Sequence, residues 1–218
     1  MFDIRSMSDY PYAPELATTH LSRVEPAFRS ILERVGPFAM EYTPLDNVFY
    51  ALLHSIVYQQ LSGKAAGTIL GRVEALFDEA PTAEGIGQVT DDQLRGAGMS
   101  RAKVAAARSL AEHVLQGECP TVQEMAALSN QEIRDSLTGV RGIGVWTVDM
   151  LLIFRLGRPD VMPSNDLGVR KGFARMLGLE EMPSPKELAA ATEAWAPWRS
   201  VGSWYMWRAL EIELPSGP

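Results

Sequence analysis

Gly142 and Gly144 flank a single apolar residue, Ile143, and an apolar stretch (Val148, Leu151, Leu152, Phe154) follows. Glycines so placed let the backbone turn tightly and leave no side chain between its N–H groups and an incoming anion. With Ile143 pinning the turn to a core, the amides of Gly142, Gly144 and Thr147 would converge on one phosphate, beside Arg141 and at the positive end of a helix. A bare Gly-x-Gly is also the mark of an ordinary turn between helices. Downstream, Asp166 precedes a helical pattern through Val169, Phe173 and Met176. It can cap that helix, serve as a reactive carboxylate, or do both, since a cap fixes the carboxylate's position. Four of the five tryptophans fall between 195 and 207, and the fifth is Trp146. An electron-rich aromatic cleft suits a cationic ring. Trp195 and Trp198, three apart, read as core.

The elements that must position these residues are helices. Leu21, Val24, Phe28, Ile31, Leu32 and Val35 keep 3–4 spacing, and Gly36 stands where a helix would stop. Asp46 can cap a helix through Phe49, Leu52, Leu53 and Ile56 that ends near Gln59-Gln60-Leu61; Ser62 can cap the next. Thr90…Gln93, Ser129…Glu132 and Ser184…Glu187 match the capping-box pattern. Ser100 opens a long helix closed by Gly117. No stretch alternates like a strand bounded by hairpin turns. The expectation is an all-α chain of about ten or eleven helices.

Composition narrows the function. The 218 residues carry a net charge of −7, which excludes a blanket polycation. The charge is uneven: residues 95–175 hold eleven Lys/Arg against eight Asp/Glu, so the stretch with the glycine turn and Asp166 is positive within an acidic body. One cysteine, Cys119, excludes an internal disulfide, a four-cysteine iron–sulfur site and a cysteine zinc cage. His54 reads as a packed core histidine and His20 and His113 as helix-surface residues, so no metal-ligand spacing emerges. No apolar run approaches a membrane span, and Met1–Arg5 lacks a signal-peptide core. A cytoplasmic monomer is expected.

Leu137-Thr138-Gly139-Val140-Arg141-Gly142-Ile143-Gly144-Val145-Trp146-Thr147, continued by Gly157–Asp166, resembles the helix-hairpin-helix DNA glycosylase superfamily. The Trp146-Thr147 pair is similar to its alkylation-repair branch, the AlkA-like 3-methyladenine-DNA glycosylase II enzymes. Gln59-Gln60-Leu61-Ser62, Gly98–Lys103 and Pro197–Ser200 carry the likeness over about residues 45 to 210. Too few residues precede Gln59 for the N-terminal β-domain of the long bacterial form.

The resemblance implies two helical lobes with the active cleft between them, one from 47 to 160 and one combining 1–46 with 161–218. It implies hydrolysis of the N-glycosidic bond of alkylated bases in duplex DNA after base flipping. Asp166 is the implied catalytic carboxylate; Asp149, expected to be solvated, and Asp160 are competitors that miss the family position. Trp146 and Trp207 would line the substrate pocket, with Met150 and Leu167 where relatives carry tyrosines. Leu61 would wedge into the duplex with Gln60 beside the gap. Val145 and Trp146 stand where strand-cleaving relatives carry a lysine nucleophile, so a monofunctional enzyme is implied, with a separate abasic-site endonuclease downstream. The carbonyls of Thr138, Val140 and Ile143 match a monovalent-cation site for Na+ or K+; no other cofactor is required. Three alternatives remain: a non-catalytic DNA-binding module, a glycosylase for deaminated or etheno purines, and a helical scaffold.

Overall fold

The computed structural model describes residues 10–212, so the reading of Met1–Arg5 lies outside the described residues. Among these, thirteen α-helices and one 3-10 turn occur and no strand. The chain divides into two compact units, residues 1–44 with 149–218, and 45–148. The first contains α1 (Pro14–Val24) and α2 (Phe28–Val35). The second contains α3 (Val48–Tyr58), α4 (Gly63–Glu74), α5 (Ala83–Gln88), α6 (Asp91–Gly96), α7 (Arg101–Leu115), α8 (Val122–Ala127) and α9 (Asn130–Leu137). After α10 (Val145–Phe154) come α11 (Leu167–Leu177), α12 (Pro185–Ala191), the 3-10 turn Glu193–Trp195 and α13 (Arg199–Ala209).

Helix ends follow local chemistry. Thr90, Ser129 and Ser184 form the expected capping boxes, and Thr121 with Glu124 adds one that the sequence reading passed over. The single helix expected over Leu21–Val35 is two, because Pro26 has no N–H to donate and interrupts the run between α1 and α2. The cap of α3 is Asn47 rather than Asp46; its side chain accepts the Tyr50 N–H at 3.0 Å.

In the 45–148 unit, α7 is central and packs on α3, α5 and α6. Leu52, Leu53 and Ile56 of α3 and Ala107 and Leu110 of α7 are fully buried. Arg108 of α7 donates to Asp91 at 2.8 Å and to the carbonyls of Ile86 and Val89, which satisfies the end of α5.

In the other unit, α13 packs against α1, α2 and α11. Phe28 meets Trp195 edge-on at 4.9 Å and Tyr205 at 6.0 Å. The Tyr10–Pro14 stretch is anchored: the Tyr10 hydroxyl donates to the Met40 carbonyl at 2.5 Å, and Tyr12 packs 5.8 Å from Trp198.

The boundary expected at 160/161 falls instead at 148/149, inside α10. Its last turn explains this. The Phe154 carbonyl accepts the Thr43 N–H at 3.2 Å, and the Phe154 ring stacks on Trp207 at 5.5 Å. Asp149 corrects a second expectation: it is 4 % exposed, not solvated, and sits between the buried Val148 and Leu151 on an otherwise apolar helix.

Candidate nucleic-acid interface and catalytic carboxylate

The hairpin belongs to the 45–148 unit. Val140 N–H donates to Leu137 at 3.2 Å and Ile143 N–H to Val140 at 3.0 Å, so the chain leaves α9 through two tight turns. Gly142 sits at φ +82, and a Cβ there would lie 3.1 Å from that of Ala106; both facts require glycine. Ile143 is 4 % exposed and pins the turn. Gly144 precedes α10, its carbonyl accepting the Val148 N–H at 3.2 Å. Nine helices of the described residues are capped by an Asn, Ser, Thr or Asp side chain. Gly144 has no side chain with which to cap the start of α10. A side chain at Gly144 would meet nothing within 4 Å; the space beside the amides is open. Thr147 points its own side chain inward, and Arg141 points outward.

Beside the hairpin lies the Gln59-Gln60-Leu61 turn. Gln59 has φ −54 and ψ 130, Gln60 has φ +59, and Leu61 N–H donates to Tyr58 at 3.3 Å. This is a type II turn, whose third residue is normally glycine or asparagine. Gln60 is the one non-glycine residue of the described chain at positive φ, a conformation that costs about 1 kcal/mol or more. Leu61 is 40 % exposed, so it does not cap the core. The Lys103 ammonium donates to the carbonyls of Val57 at 2.6 Å and Gln59 at 2.9 Å, and partial burial lowers its pKa from the ordinary lysine value. The Gln59 side chain donates to the Gly142 carbonyl at 2.9 Å. Sequence reasoning missed both contacts, although it singled out the two segments that supply them.

Asp166 lies in the other unit. It caps α11: its Oδ1 accepts the Val169 N–H at 2.8 Å and the Trp207 Nε1–H at 2.9 Å. Gly168 makes room for this pair; a Cβ there would sit 2.8 Å from Trp207 Cδ1 and 3.1 Å from Asp166 Oδ1. The loop leading to Asp166 is riveted to α13. Arg199 grips Asp160 through Nε at 2.6 Å and Nη2 at 2.7 Å. The fully buried Ser200 hydroxyl accepts from Val161 N–H at 3.0 Å and donates to the Arg158 carbonyl at 2.6 Å. One helix therefore holds both the loop and, two turns on, the indole that grips the carboxylate.

Of the expected pocket residues, Leu167 is 51 % exposed and Trp146 46 % exposed, unlike core residues of their size. Met150 and Trp207 are half-buried. Trp195 is core, as expected, and Trp198 is half-buried beside Tyr12. His54 stacks on Tyr58 at 4.0 Å, which accounts for it structurally. Among the described residues no cluster of three or more His, Cys, Asp or Glu would hold a metal ion.

Residues 53–197 match the family described as HhH-GPD superfamily base excision DNA repair protein. DNA-3-methyladenine glycosylase 1 of Schizosaccharomyces pombe is 32 % identical over 213 residues, which cover 96 % of this chain and 93 % of that protein. The structure of the S. pombe 3-methyladenine DNA glycosylase Mag1 in complex with abasic DNA has a TM-score of 0.81 at 33 % identity, covering 90 % of this chain and 97 % of that one. The DNA-3-methyladenine glycosidase of Bacillus halodurans has a TM-score of 0.79 at 35 % identity, covering 92 % and 90 %. With the matched segment running through the Gln59–Leu61 turn, the glycine hairpin and Asp166, the chain belongs to the HhH-GPD superfamily of base excision DNA repair proteins.

Proposed function

We propose that this chain is a monofunctional DNA glycosylase that releases alkylated bases of the 3-methyladenine type from duplex DNA. The observation that carries the chemistry is Asp166, held by a helix cap and an indole N–H. As the bond to the base stretches, positive charge grows on the sugar. A carboxylate fixed near the anomeric carbon stabilises that charge and orients the attacking water. Water then closes the reaction: the C–N bond breaks with its electron pair going to the cationic base, which leaves neutral, a C–O bond forms, and the proton lost by the water passes to solvent. Val145 and Trp146 offer no amine, so no Schiff base forms and the strand stays intact.

Phosphate is held by the hairpin amides and Arg141, and Leu61 with Gln60 fills the gap left by the flipped base. Trp146 and Met150, four apart on α10, share a helix face; with Trp207 and Leu167 they are the residues that the family resemblance assigns to recognition of the base. A cationic base gains from the indoles. The three hairpin carbonyls of Thr138, Val140 and Ile143 are neutral oxygen donors, and the Val140 carbonyl already accepts the Ile143 N–H at 3.0 Å. That set suits a hard cation such as Na+ or K+, which would offset carbonyl dipoles beside a phosphate. The protein works as a monomer on cytoplasmic DNA, and its abasic product passes to an endonuclease.

The test incubates methylated duplex DNA with the protein and follows free base and strand length. Released 3-methyladenine with an unbroken strand is expected. Binding without release would leave a DNA-binding module, and a nicked strand would overturn the monofunctional assignment. Trp207→Phe keeps the ring against Phe154 but removes the donor to Asp166. Its release rate is expected to fall by about ten- to a hundredfold as the carboxylate loses its anchor, and its melting temperature by roughly 3–12 °C, because hydrogen bonds to charged groups contribute about 1.5–3 kcal/mol.

A further inference from the structure

One stripe of α7 touches both DNA-facing loops of the 45–148 unit. Lys103 holds the Gln59–Leu61 turn, Ala106 abuts Gly142, and the Ser109 hydroxyl accepts the Arg141 N–H at 3.1 Å. These residues recur every three positions and face one way. The start of this stripe is fixed too: Ser100 caps α7 by accepting the Lys103 N–H at 3.2 Å. Type I and type II turns differ by a flip of the peptide between their two central residues. That peptide bears the Gln59 carbonyl, which Lys103 holds at 2.9 Å. Flipping it would break this bond and release Gln60 from its unfavourable positive φ.

We infer that Lys103 is a positioning residue that locks the Gln59–Gln60 peptide in the type II form, and so aims Gln60 and Leu61 into the duplex. This rests on the glycosylase function proposed above. Gln59 completes the lock by tying the same turn to the Gly142 carbonyl, so the wedge and the phosphate hairpin keep one spacing along α7. Without the ammonium the turn relaxes towards type I and the wedge loses its direction, while Asp166 and its partners are untouched.

The prediction concerns flipping rather than bond cleavage. A mispaired base costs less to extrude than a paired one, so a defective wedge is felt most on the paired substrate. Base release is measured with the same alkylated base paired or mispaired in otherwise identical duplexes. Lys103→Met is expected to slow the paired substrate by about tenfold or more and the mispaired one by about threefold or less. Gln60→Asn tolerates positive φ, and combined with Lys103→Met it is expected to recover most of the lost ratio. Equal losses on both substrates, or no recovery by Gln60→Asn, would overturn the proposal. Should Lys103→Met not fold, Lys103→Gln is read in the same way. A 2-aminopurine beside an abasic-site analogue reports wedge entry by its fluorescence without any catalysis. If the wild type released no base at all, the glycosylase proposal would fail, and this signal would still decide the role of Lys103: a change unaltered by Lys103→Met overturns it.

Discussion

Asp166→Asn is expected to slow base release by about a hundred- to a thousandfold, the range typical of removing one electrostatic stabiliser of a transition state. The substitution is close to isosteric. Its side-chain oxygen still accepts the Val169 and Trp207 N–H groups, which lie 2.8 and 2.9 Å from Asp166 Oδ1. Asparagine is as good a helix cap as aspartate, so α11 keeps its start and the melting temperature should barely move. What disappears is the negative charge that the proposed reaction places against the sugar. Single-turnover release from methylated duplex DNA, read beside a thermal melt, separates the two effects. Equal rates for the variant and the wild type would remove Asp166 from the chemistry.

Gly172→Ala should give the largest loss of stability. The added Cβ would stand 2.0 Å from the Met206 carbonyl oxygen and 2.6 Å from its carbonyl carbon. Both are backbone atoms of α13, so no rotamer change makes room and α11 must move away. Overpacking of this kind costs about 3 kcal/mol or more. For a chain of this size that lowers the melting temperature by roughly 6–12 °C. Activity should fall as well, because α11 carries the Asp166 cap and α13 carries Trp207. Gly71→Ala is the control. It lies within α4, where a Cβ meets nothing within 4 Å, so the better helix propensity of alanine should stabilise by about 0.5–1 kcal/mol. Equal melting temperatures for Gly172→Ala and wild type would show that the two helices can part without cost.

Much of this was legible in the chain because it is local. A capping box closes over four residues, so Thr90, Ser129 and Ser184 announce their helices without reference to anything distant. The glycine hairpin and Asp166 were legible for the same reason: each is set by its neighbours and by the start of a helix. The errors were also local. Pro26 outweighed an unbroken apolar spacing, and Asn47 and Asp46 are both good caps, between which only the packing of α3 decides. The contacts that sequence could not supply span long separations. Trp207 reaches Asp166 across 41 positions, Lys103 reaches Gln59 across 44, and Gln59 reaches Gly142 across 83. Each donor has several chemically equivalent partners until helices fix its neighbourhood. Asp149 shows the converse: a charge on an apolar helix reads as solvent-facing until its own face of that helix is known to be covered.

The division of the chain has a consequence for the order in which the molecule comes into being. Residues 45–148 form one unit from one continuous stretch, and its packing pairs are complete once Val148 has been made. The other unit is split around it. Phe28 and Ile31 of α2 precede the 45–148 stretch, yet α13, against which α2 packs, follows it. Until then α1 and α2 have only each other to pack on while the whole intervening unit is built. A nascent chain stalled after α10 would already own the glycine hairpin and the Gln59–Leu61 turn, and would hold neither Asp166 nor the helix that anchors it. On the proposed function, grip on DNA is thus encoded ahead of the means to cut a base from it, and the split unit closes only when α13 joins α2.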